Sequence, residues 1–189
     1  MRSISRVYSD PLDIIWTHAA SRMSMRIVRS AEVNASWNGN GVLTIGTSET
    51  LDPDDCLAQM VLHETCHALI EGPESITKPD WGLHSFDPSK KIHEHACLRL
   101  QAALADRVGM RNFFAPTTMF RSYYDSIPDN PLINDGDTAV VMAVAAWQAA
   151  CHGPWSEALN DALCATTRIA ELLRGFTDCG SLWHTAGSK

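Results

Sequence analysis

His63-Glu64-Thr65-Cys66-His67 is the stretch that most constrains this chain. Two histidines stand four residues apart, with a glutamate directly after the first. On an α-helix, residues i and i+4 share a face one turn apart, so both imidazoles reach one ion. Glu64 stands about 100° round the helix from His63, close to such an ion without having to bind it. An open zinc site, a water and a carboxylate that takes the water's proton are the parts of metal-assisted hydrolysis. The flanks predict a helix over residues 53–71. Asp52-Pro53-Asp54-Asp55 reads as a cap, a first-turn proline and first-turn acids, and Gly72-Pro73 as a stop. Leu57, Met60, Val61, Leu62, Ala68, Leu69 and Ile70 spread round most of the wheel, so this helix is buried on most sides. Histidines and a glutamate in such a helix need partners, and a metal satisfies all three.

A second helix, over 92–108, supplies the next constraint. Glu94, Cys97, Leu98, Gln101, Leu104, Ala105 and Val108 fall within about 120° of one another, with Arg99 and Asp106 on the other side. A carboxylate on a core-facing stripe needs a cation or a proton. Glu94 is therefore the candidate third ligand beside His63 and His67, with His84, His93 and His95 as alternatives. Cys66 and Cys97 flank these ligands. The expectation is that they are near neighbours packed as small hydrophobes, with neither touching the metal. A disulfide between them and a thiolate ligand are the competing readings.

The remaining elements follow from their punctuation. Asp10-Pro11 opens a helix to about residue 25. Short strands are expected over 26–29, 33–37 and 42–45, the last two joined by Asn38-Gly39-Asn40-Gly41. The strand over 42–45 leads into the histidine helix. It reads either as an edge that captures an extended peptide by strand addition or as an ordinary internal strand. Residues 73–91, with Pro73, Pro79, Gly82 and Pro88, read as a loop walling the site. Downstream come an aromatic stretch over 112–124, a loop over 126–131, and a helical hairpin over 138–151 and 155–173 joined at His152-Gly153-Pro154. This order predicts an α+β fold: a small sheet of short strands packed on the histidine helix, and a mostly helical C-terminal half.

Length and charge bound the rest. A chain of 189 residues fits one domain, taken as 1–189, with a sizeable core. Net charge is -7 with no long basic run, which argues against a nucleic-acid partner. The first residues lack an apolar signal core, and the longest apolar run, 138–151, is too short to span a bilayer. A cytoplasmic protein without a membrane partner is expected. The six cysteines, at 56, 66, 97, 151, 164 and 179, form no CxxC pair and read as core thiols rather than cluster ligands.

The order of helix, short strands, HExxH and a downstream helical glutamate resembles the gluzincin branch of the zincin metallopeptidases over about residues 11–108. The resemblance implies a zincin-like fold, zinc held by His63, His67 and Glu94, Glu64 as general base, and a peptide or protein substrate. The family's supporting Asp four residues after the glutamate is replaced by Leu98. His152, Tyr123 and Tyr124 are candidates for stabilising the oxyanion. A more local resemblance, over about 35 residues, is to the elongation factor P hydroxylase family: HExxH with Ile70, Gly72, Asp80 and Gly82, and Glu94 again as acidic ligand. That resemblance implies iron and hydroxylation of a protein lysine. A non-catalytic, metal-stabilised peptide-binding module is the third class.

Overall fold

The computed structural model describes residues 5–83, 90–117 and 119–184. Helix α1 (Pro11–Arg22) starts where the sequence places it: the Asp10 carboxylate accepts the Leu12 and Asp13 amides, and Pro11 occupies the first turn. Its buried face is Leu12, Trp16, Ala19 and Ala20, while Ile14 points outward. Strands β1 (Arg26–Ser30), β2 (Ala35–Trp37) and β3 (Val42–Gly46) follow. The β2–β3 connection is a hairpin in which the Asn38 side chain accepts the Asn40 and Val42 amides. Gly39 takes φ +72°, and a Cβ there would stand 2.9 Å from the Thr77 carbonyl oxygen, so this turn docks where only glycine fits.

The sheet order is β1-β3-β2, parallel between β1 and β3 and antiparallel between β2 and β3. β3 is therefore the central strand, which overturns the edge-strand reading of 42–45. The edges are β1 and β2. Along β2 the Asp80 carboxylate accepts both the Trp37 amide and the Ser36 hydroxyl, so a side chain occupies the place of a neighbouring strand.

Helix α2 (Leu57–Glu71) carries the histidines. It begins four residues later than the acidic run predicts. Residues 52–55 form a turn closed by the Asp55 amide on the Asp52 carbonyl, and Asp55 turns its carboxylate to the Thr117 hydroxyl instead of capping a helix. Gly72 ends α2 at φ +79° and ψ 177°, a positive-φ extended exit that glycine supplies, so the helix stops where the sequence places it. The segment expected as a plain loop contains two 3₁₀ turns, Pro73–Thr77 and Pro79–Gly82.

Helix α3 (Lys90–Asp106) packs against α2, and every residue from Ala96 to Ala105 is buried. Arg99 thus lies in the interior, not on an outward face. Its guanidinium donates to the Pro131 carbonyl and to Asp135 and Asp137, and its Nε donates to the Tyr123 hydroxyl. These partners are what make burial of the charge tolerable. Helices α4 (Arg121–Ser126), α5 (Ala139–His152) and α6 (Ser156–Leu173) complete the chain; α5 packs on α3 and α6 on α1. The main core runs from Trp16, Trp37, Leu43 and Ile45 through Val61 and Leu62 to Leu100, Leu104 and Phe114. The fold is α+β with a small mixed sheet and a mostly helical second half. Among the described residues, no helix is long and apolar enough to cross a membrane.

Candidate metal centre

α2 and α3 bring three of the expected residues to one point. His63 and His67 are 8% and 6% exposed, and their Nε2 atoms are 3.1 Å apart. The Glu94 carboxylate spans them, one oxygen 3.6 Å from His63 Nε2 and the other 3.3 Å from His67 Nε2. At a tetrahedral zinc with ligand bonds of about 2.0–2.2 Å, neighbouring donor atoms lie about 3.3–3.6 Å apart. The 3.1 Å between the two nitrogens is near one such edge, and the carboxylate reaches the two nitrogens with a different oxygen each.

The orientation of the His63 ring is fixed by its other side. Gln101 is fully buried, and its Nε2 donates to the Phe114 carbonyl at 2.6 Å, which turns its Oε1 to His63 Nδ1 at 2.9 Å. That oxygen can only accept, so Nδ1 carries the hydrogen, and whenever the ring is neutral Nε2 presents the lone pair. This is the ligand tautomer, held in the way metal-binding histidines are usually held. His67 Nδ1, by contrast, is buried without a hydrogen-bond partner among the described residues.

The charges favour a cation between these groups. Burial works against the negative charge on Glu94, yet the hydrogen bond from His67 and the fields of His63, His67 and His95 hold its carboxyl down at about 2. Burial also lowers the proton affinity of His67, but Glu94, Glu64 and Glu71 outweigh it and leave the imidazole above its ordinary value. Without a metal, the carboxylate thus draws a proton onto His67.

His63, His67 and Cys97 also offer ligand atoms all within 4.8 Å of one another, a group able to hold a metal ion. Cys97 meets His63 from the side away from Glu94's contact with Nε2. Its Sγ lies 3.7 Å from His63 Nδ1, the nitrogen already engaged by Gln101, and 3.5 Å from the His63 carbonyl oxygen. Burial and the adjacent Cys66 push its thiol well up, so it stays protonated. All six cysteines are free, and the Cys66–Cys97 disulfide does not form. The two thiols are near neighbours, as expected from the flanks of facing helices.

Glu64 has a partner of its own, and its charge still reaches His67. The indole Nε1–H of Trp81 donates to its Oε2 at 2.7 Å. Trp81 is buried, stacked on Trp37 with centroids 4.5 Å apart. Neither Trp81 nor Gln101 was assigned a role from sequence. Gln101 carried a signal, since a carboxamide on the apolar stripe of Glu94 and Cys97 needs a partner as much as a carboxylate does. Trp81 carried none, because its placement depends on positive φ at Asp80 and Trp81, +45° and +58°.

The other histidines weighed as ligands are engaged elsewhere. His93 Nδ1 meets Glu71 at 2.6 Å, and His95 stacks on Tyr123 with centroids 3.5 Å apart. His84 lies outside the described residues. Of the oxyanion candidates, Tyr123 donates to Asp137, Tyr124 donates to the Arg111 carbonyl, and His152 ends α5 exposed to solvent. A cleft of about 290 Å³ opens beside His63, lined also by Met60, Gln59, Asp55, Asp52 and Thr117. Comparison of the chain with family models, with curated proteins and with solved structures returned no match.

Proposed function

We propose that the protein is a zinc-dependent hydrolase of the metallopeptidase type, with zinc held by His63, His67 and Glu94 and Glu64 as general base. The observation that carries this reading is a division of labour between the two glutamates. Glu94 spans the two histidine Nε2 atoms, whereas Glu64 accepts the Trp81 indole N–H. Zinc, if held by these residues, would supply a Lewis acid for a carbonyl and would lower the pKa of a bound water toward about 7. Glu64 takes the proton of the attacking water and delivers it to the leaving amine. Trp81 keeps that carboxylate oriented between the two transfers, and Gln101 keeps His63 in its lone-pair tautomer.

Two histidines and a carboxylate suit non-haem iron as well as zinc, the set expected of a hydroxylase acting on a protein lysine. A separately held Glu64 favours hydrolysis, because an oxygenase has no use for a second carboxylate poised as a base. The binding-module reading loses its support with β3 in the interior of the sheet. Elemental analysis after metal-free purification and reconstitution separates zinc from iron. On a pool of fluorescence-quenched peptides, the zinc protein should turn over, and Glu64→Gln should keep the metal while losing rate by at least a hundredfold. Full activity in Glu64→Gln would refute the mechanism, and a zinc-loaded wild type without turnover would refute the peptidase assignment.

A further inference from the structure

We propose that the cleft beside His63 is a subsite for a positively charged group of the substrate, an ammonium or guanidinium seated between Asp52, Asp55 and Gln59. The proposal rests on the metal-dependent peptidase reading above and adds the chemistry that the substrate must carry. The first observation concerns hydrogen-bond supply. The cleft wall bears two carboxylates and neither lysine nor arginine. Its donors are largely engaged: the Thr117 hydroxyl donates to Asp55, and the Thr50 hydroxyl donates to the Thr47 carbonyl. Gln59 Nε2 is committed to the carbonyls of Asp54, Phe113 and Ala115. Asn34, also on the wall, brings one amide with both capacities.

The second observation is independent of the acids. Gln59 is 2% exposed, and its Oε1 is buried without a partner. With the nitrogen limb of the carboxamide fixed by three carbonyls, the oxygen limb is a preset acceptor on a residue that lines the cleft. Leaving a buried acceptor unmet costs free energy that a donor arriving with the substrate recovers. Carboxylates plus an unmet amide oxygen, with the donors already engaged, select a group that only donates and carries positive charge. A chloride, a phosphate or a substrate carboxylate would meet repulsion here.

Position links this subsite to the reaction. Gln59 precedes His63 by one helical turn on the same face of α2, about 5.4 Å along the axis. A cation held there lies within one residue's reach of a carbonyl at the metal. A cleft of about 290 Å³ sits at the small end of ligand pockets, room for one side chain or a chain terminus. The same chemistry comes from two sources, the α-ammonium of a peptide N-terminus or a lysine or arginine side chain, and the experiment tells them apart.

The probes are amino-acid hydroxamates, which anchor on the metal and carry a chosen charge: norleucine hydroxamate (α-ammonium only), Nα-acetyl-lysine hydroxamate (side-chain ammonium only) and Nα-acetyl-norleucine hydroxamate (neutral). Each is titrated calorimetrically into zinc-loaded wild type and into Asp55→Asn and Asp52→Asn/Asp55→Asn variants. At least one cationic probe should bind wild type tenfold or more tighter than the neutral probe, and which one identifies the source. In the double variant that preference should fall below threefold, with the neutral probe's affinity unchanged within threefold. Equal binding of cationic and neutral probes to wild type overturns the subsite and leaves the metal reading intact, as does a preference that survives both substitutions. Failure of the neutral hydroxamate to bind zinc-loaded wild type overturns the metal reading, and the subsite with it.

Discussion

Substituting Gln101 separates the histidine's tautomer from every other property of the site. Gln101→Met removes the acceptor for His63 Nδ1–H and the donor to the Phe114 carbonyl, at 2.9 and 2.6 Å respectively. Gln101→Glu loses the amide donor too, but keeps an acceptor facing His63. Both variants should therefore lose stability from the orphaned Phe114 carbonyl, roughly 1–3 kcal/mol. Their zinc affinities should diverge. Removing the partner that orients a ligand histidine typically weakens metal binding by about 10–100-fold, or about 1.4–2.7 kcal/mol. Gln101→Met should show that loss. Gln101→Glu should bind within threefold of wild type or tighter, since a carboxylate raises the basicity of the imidazole. The assay is zinc competition against a chromophoric chelator at pH 7.5, with circular dichroism on the same samples to confirm the fold. Equal zinc affinities for the two folded variants would refute the account of how His63 is held.

Cys97→Ala and Cys66→Ala should each cost about 1–2 kcal/mol of stability in chemical denaturation, as small buried groups do, and leave zinc affinity within threefold; loss of metal from a folded Cys97→Ala would move the thiol into the ligand set in place of Glu94. Zinc affinity should fall as pH falls through the raised pKa of His67, by up to tenfold per unit, because that imidazole must lose its proton to bind. Glu94, held at about 2, should add nothing to this dependence down to about pH 4, and a pH-independent zinc affinity between 5 and 8 would contradict the site's electrostatics.

The parts of the fold written in local chemistry were legible in the sequence. Asp10-Pro11 opens α1, Asn38-Gly39-Asn40-Gly41 turns the hairpin, and Gly72 stops α2. The place of Glu94 beside the two histidines was legible because a carboxylate on an apolar stripe needs a counter-charge. The misreadings share one cause, a tertiary partner at long sequence distance. Asp52-Pro53-Asp54-Asp55 has the grammar of a helix start, but the segment is a turn whose Asp55 carboxylate is taken by the distant Thr117 hydroxyl. Arg99 reads as a surface residue until Asp135, Asp137 and the Pro131 carbonyl are seen to enclose it. Strand order is invisible to period-two patterns, so nothing local placed β3 between β1 and β2.

The left-handed kink at Asp80 and Trp81 has a consequence for what can approach this protein. Backbone of that kind costs about 1–3 kcal/mol per residue and persists only when its surroundings enforce it. Here two adjacent side chains enforce it from opposite directions: the Asp80 carboxylate grips the amide of β2, and the Trp81 indole grips Glu64. The open side of the sheet and the base share one latch. A guest strand adding to β2 would take the Trp37 amide from Asp80, unfasten the kink and let the glutamate swing free. On the hydrolase reading, docking at that edge and a seated Glu64 would exclude one another, so a substrate would have to reach the histidines along another wall, and a stray strand that did attach would find the glutamate unlatched.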